Sequence, residues 1–225
     1  MTAVVLAIGW TAAVLGAIRS TWSPLGESML SSIHPLGERA KGNRFGLTAS
    51  AFVVGATVGG VATGAVAGAL GIVLLGWLPD EARLGVVVAV ALLGAAFERT
   101  GRPLPSVPRQ VDEDWLHEYR GWVYGAGFGF QLGAGVLTYI TTAAVYVALA
   151  ATLLVGHVGA SVAIMGTFGL ARGLSIVPAR RIDDPERLVS FHRRLQATAP
   201  LVRRASTSAL VVAGLAGGVA LLGEL

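Results

Sequence analysis

Apolar residues in this chain run in stretches too long for a water-soluble fold to bury. Six stand out: 2–18, extended by a broken piece at 20–33, then 46–71, 84–98, 121–150, 158–177 and 206–223. A helix needs ~20 apolar residues to cross a hydrocarbon core. Only 13% of the residues are charged, about half the share of a soluble domain, so there is too little polar surface to face water on every side. The expected fold is an all-α polytopic membrane protein with six transmembrane helices. The third stretch is short, and the second and fourth are longer than one crossing requires.

The loops carry a second pattern. Numbered alternately across six spans, they place all 17 Lys and Arg residues except Arg83 on one side. That side receives Arg19, Arg39, Lys41 and Arg44, then Arg99, Arg102, Arg109 and Arg120, then Arg172 and the arginines from Arg180 to Arg204. Five or seven spans would scramble this segregation. Basic loops stay cytoplasmic, so the expected site is the plasma (inner) membrane with both termini outside. The net charge of +4 then reports topology and not nucleic-acid binding. The first stretch lacks a basic leading region and a small-residue cleavage site, and is read as a span. The lipid bilayer is the expected partner throughout.

Three spans per half make the halves enter the membrane from opposite sides, the inverted-repeat plan of many transporters. The half-repeats are 1–98 and 121–225, joined by the cytoplasmic loop 99–120. Each opens with an interrupted segment. In the first, "RSTWSPLGESML" places Pro24 inside an apolar run, where it removes a backbone donor and breaks the helix. In the second, "GFGFQLGAGVLTYITT" sets Gly133 and Gly135 ahead of three threonines. Matching interruptions point to a central site. The candidate path residues are Ser23, Pro24, Glu27, Ser28, Gln131, Gly133, Gly135, Thr138, Thr141, Thr142 and Arg172.

These two segments resemble those of the CcdA family and the DsbD membrane domain, where an "SPC" step breaks the first helix and a "GFGFG"-like run precedes a "PC" step in the fourth. This chain has "SPL" at 23–25 and "GFGFQLGAG" at 127–135. The resemblance implies the family's fold and membership of the wider group that includes LysE-type exporters. It does not carry over electron transfer, because Leu25 stands at the first cysteine position and the chain has no cysteine.

Charges inside a membrane are costly and usually face a cavity or a partner. Glu27 is therefore a candidate protonatable or cation-coupling group, with Arg19, Arg172 or a proton as its partner. The competing reading has Arg19 and Arg172 snorkelling to the interface and Glu27 in the headgroup layer. The four histidines are read as surface residues. Gly60, Gly64 and Gly68, and again Gly125, Gly129 and Gly133, recur every four residues, which suits close helix packing or the flank of a substrate path. "DDPERLVSFHRRLQ" reads as an amphipathic helix on the inner leaflet with Asp184 as its N-cap, and a short helix is expected near Asp114 to Tyr119. No nucleophile–base grouping or metal-ligand spacing occurs, so no enzymatic activity, metal or cofactor is expected. Two functions follow. One is transport of a small solute or ion by alternating access; the other is a non-transporting scaffold or assembly subunit bound to a membrane-protein partner.

Overall fold

The computed structural model describes residues 1–106 and 114–223, and every regular element among them is helical. Helix α1 (Thr2–Arg19) runs into a 3-10 turn at Ser20–Trp22 and stops. Pro24 cannot donate to the preceding turn, and Ser23 adopts an extended backbone there. The Ser23 hydroxyl accepts from Gly26 N at 3.0 Å and donates to Ser20 O at 2.7 Å. It thus caps α2 (Pro24–Ser32), and α3 (Pro35–Ala40) follows. Then come α4 (Phe45–Leu75), α5 (Asp80–Arg99) and the short α6 (Trp115–Glu118).

The second interruption replaces one long helix by two. Helix α7 (Gly121–Ala134) ends where Gly135 turns left-handed at φ 75, a conformation that costs glycine nothing. An irregular segment follows, and Thr142 caps α8 (Ala143–Leu154) by accepting from Ala144 N. Helix α9 (Val158–Leu174), a second 3-10 turn at Val177–Arg181 and α10 (Pro185–Leu222) complete the chain.

Four helical stretches are long and apolar enough to cross a membrane: Thr2–Trp22, Phe45–Leu75, Val158–Arg181 and Pro185–Leu222. The count differs from the six expected for physical reasons. Helix α5 has the length, but Asp80, Glu81, Arg83, Glu98 and Arg99 at its ends dilute its hydropathy. Helices α7 and α8 have 14 and 12 residues, each short of the ~20 that one crossing takes. The surface helix expected near 184–195 and the span expected at 206–223 are one 38-residue helix with Pro200 inside it. Pro200 is exposed, so water or headgroups can satisfy the carbonyl it leaves without a donor. Asp184 caps that helix, accepting from Arg187 N at 2.7 Å. Arg109 and the acidic pair at 112–113 lie outside the described residues.

Helix α4 is the hub, with α7 and α9 packed along it. Both glycine rows mark these contacts. Cβ atoms built on Gly60 and Gly64 would collide with the backbone of α9 around Met165 and Ser161; on Gly129 and Gly133, with the backbone of α4 around Phe52 and Ala56. Helix α1 packs on α8 and α9, and α5 on α8 and α10. One apolar cluster joins α1, α5, α8, α9 and α10 through Ile8, Ala12, Val87, Ala91, Val147, Ile164 and Leu210. A second, at the other end, gathers Met29, Ile33, Phe52, Phe128, Ile176 and Ile182, with Leu188, Phe191 and Leu195 of α10 laid against it. Val54, Val58, Val66, Val73, Leu93, Val212 and Val219 stay exposed on the outer faces, as expected where lipid is the solvent.

Candidate functional site

The two helix interruptions meet. Between them lies a cavity of about 20 Å³ lined by Ser20, Ser23 and Leu25 from the first break, Gly135, Thr138 and Ile140 from the second, and Leu132, Phe168 and Arg172 from the helices around them. Arg172, on α9, is 3% exposed. Its Nη1 donates to Thr21 Oγ1 at 3.5 Å, the outer limit for such a bond. Leu25 is buried and fills the break with an isobutyl group.

Of the candidate path residues, Ser23, Gly135, Thr138 and Arg172 come together at this cavity. The others are placed elsewhere. Pro24 is exposed; Glu27, Ser28 and Gln131 are half-buried and do not line it. Among the described residues Glu27 makes no ion pair with Arg19, Arg172 or any other group. Gly133 is spent on the α4 contact. Thr142 is fully buried as the cap of α8. Thr141 lines a different pocket of about 210 Å³, together with Arg19, Glu98, Arg102 and Arg203.

Two polar centres went unread in the sequence. The first is built on Glu38, a fully buried carboxylate. Thr48 Oγ1 of α4 donates to its Oε2 at 2.6 Å, and the Tyr124 hydroxyl of α7 and Lys41 Nζ, at 3.3 Å, donate to its Oε1. Asn43 joins by donating to the Tyr124 oxygen and accepting from Gly121 N, both at 3.3 Å. The second centre is Glu98 at the end of α5. It accepts from Ala143 N at 2.7 Å and from Thr207 Oγ1 at 2.8 Å. A carboxylate thus sits at the N-terminus of α8, where the helix dipole favours negative charge. A Glu three residues after a His-Pro step, and a Glu ending an apolar run, were the available signals; neither reveals its distant partners.

The surface reading of the histidines is corrected at two positions. His34 is buried and caps α3, its Nδ1 accepting from Gly37 N at 3.1 Å while Nε2 lies 2.9 Å from Ser31 O. Burial lowers its pKa below the ordinary imidazole value, which matches a neutral ring. His192 is half-buried, with Nε2 2.8 Å from Ser31 Oγ, and ties α10 to α2. No cluster of three or more His, Asp or Glu side chains suited to a metal ion occurs among the described residues.

Long apolar helices, lipid-like outer faces and polar groups paired deep inside define a multi-helix integral membrane protein. Its relatives make the class specific. The chain belongs to the MauF family of methylamine utilization proteins. It is 32% identical over 216 residues to methylamine utilization protein MauF of Paracoccus denitrificans, covering 88% of this chain and 73% of that one. It is 31% identical over 169 residues to MauF of Methylophilus methylotrophus, and 32% over 174 residues to MauF of Paracoccus versutus. Those two alignments cover 73% of this chain but only 59% and 62% of the relatives. No family model and no solved structure matches the chain.

These relatives overturn the resemblance to the CcdA family, the DsbD membrane domain and the LysE-type exporters, and with it the link to cytochrome c biogenesis. The shared motifs were a Ser-Pro step and glycine–aromatic alternation. A membrane helix acquires both for general reasons, since proline breaks it and glycine lets a neighbour approach. Such short strings do not distinguish families.

Proposed function

We propose that this protein is a non-transporting accessory subunit of methylamine utilization, a membrane scaffold or assembly factor with no catalytic step of its own. Family membership brings the pathway to this chain, and one observation favours a scaffold over a carrier. Glu27, Gln131, Thr138, Thr141 and Thr142 do not converge on one water-accessible space, and the cavity where the breaks meet holds about 20 Å³, room for about one water. The outer faces remain apolar and are available to lipid and to a membrane-protein partner.

The test is made in a methylamine-growing bacterium lacking its own MauF. Expression of this chain is expected to restore growth on methylamine while uptake of labelled methylamine into membrane vesicles stays at the empty-vector level. Absence of growth rescue overturns the assignment to methylamine utilization. A severalfold rise in uptake overturns the non-transporting role.

We further propose that α5 and the α7–α8 pair also cross the bilayer. The chain then makes six crossings arranged as an inverted repeat of three plus three, with basic loops cytoplasmic. The pairing of α4 with α9 and of α5 with α10, each the counterpart of the other in such a repeat, supports this arrangement, as does the segregation of Lys and Arg. Alkaline phosphatase fused after Leu225 is expected to be active and its fusion at Gly42 inactive. The reverse result would invert the topology, and equal activities would remove the six-crossing count.

A further inference from the structure

A guanidinium is permanently charged and carries five N–H donors. Arg172 brings this group almost wholly out of solvent, yet its one hydrogen bond to a described residue is the 3.5 Å contact to Thr21. It makes no ion pair among the described residues. Removing a charge from water costs several kcal/mol unless a counter-charge and hydrogen bonds offset it. Among the described residues the cavity it lines supplies hydroxyls and no carboxylate. Thr138, buried as a residue, lines the cavity too, and its hydroxyl makes no hydrogen bond to a described residue. Helix α2 begins at the same wall with Ser23 as its cap, adding the positive end of a helix dipole. Among the described residues the site is therefore electropositive and without a counter-charge.

We propose that this cavity binds one small inorganic anion of the halide class, held by Arg172 and Thr138 as a built-in counterion where the two broken segments meet. Size favours the class: about 20 Å³ is on the order of one solvent molecule, so a monatomic halide, seated with a small outward shift of the lining side chains, is favoured over phosphate or a carboxylic acid. The anion is structural cargo of the fold, and its presence does not depend on a role in methylamine utilization.

The test uses the full chain purified in a nonionic detergent, in gluconate buffer of constant ionic strength. Adding chloride or bromide is expected to raise the thermal midpoint saturably, on the order of 5 °C at a hundredfold excess over Kd, and equimolar sulfate is not. Arg172→Gln is expected to abolish the halide effect. Thr138→Val is expected to weaken the apparent halide affinity about 10-fold, the loss of one hydrogen bond to an ion, and it serves where Arg172→Gln is not recovered folded. No halide dependence in the wild-type chain overturns the proposal. So does an equal response to sulfate, or a halide response unchanged in either variant.

Discussion

Gly64→Leu is expected to abolish recovery of the folded protein, whereas Gly46→Leu on the same helix leaves it intact. The contrast follows from what surrounds each position. A Cβ on Gly64 would stand 2.6 Å from Ser161 O and 2.8 Å from Val162 Cα, both backbone atoms of α9. Backbone cannot rotate away as a side-chain tip can, so α4 and α9 must separate along their contact. Association of helices in lipid rests on close packing, because the surrounding tails are as apolar as the side chains. Overpacking a fitted interior already costs about 1–3 kcal/mol, and here the obstacle is main chain at the hub of the bundle. Gly46 has nothing within 4 Å of an added Cβ, and surface changes of that kind stay within about 0.5 kcal/mol. Monodisperse yield on size-exclusion chromatography and the thermal midpoint in detergent report the outcome. Wild-type values for Gly64→Leu would mean that the helices do not touch there.

The second large effect is expected at Glu38. Glu38→Ala strands three donors at once: the hydroxyls of Thr48 and Tyr124, and the Lys41 ammonium. Breaking a buried charged pair by removing one partner costs about 3–5 kcal/mol. Glu38→Gln keeps an acceptor oxygen and loses the charge, for about 1–3 kcal/mol. Because Glu38, Thr48 and Tyr124 form one network across α3, α4 and α7, Glu38→Gln and Tyr124→Phe are expected to be non-additive by about 1 kcal/mol. Equilibrium unfolding in detergent measures these differences, with Arg39→Ala, at the exposed neighbouring position, as reference. A Glu38→Ala chain as stable as Arg39→Ala would remove the network from the account of the fold.

What could be read beforehand was what is encoded locally. Pro24 after Ser23 marks a break in any apolar helix, and Asp184-Pro185 marks a helix start. Glycines four apart announce a contact face whatever packs against it. The rest depended on partners distant in the chain. Glu38 sits amid Arg39, Lys41 and Arg44 and reads as one more loop charge; Tyr124, 86 residues later, is what turns it inward. The run 121–150 holds no charged residue, so hydropathy alone counts one long span there; the glycines and threonines mark an interruption without showing that the turn at Gly135 leaves two short helices. At the site, the meeting of the two interruptions followed from their matching positions. The absence of a carboxylate beside Arg172 among the described residues did not, since Glu27 is close in sequence to that break yet does not line the cavity.

The bonds of Glu98 also order events in time. Its acceptor oxygens are matched to Ala143, 45 residues later, and to Thr207, 109 residues later. At roughly 5–20 residues per second of synthesis, the carboxylate waits seconds for its first partner and more than twice as long for its second. When the start of α8 emerges, the carboxylate and its neighbour Arg19 are already made, and only the bond to Thr207 is still to come. Thr207 lies on α10, so the last helix to be made completes the set of bonds around Glu98.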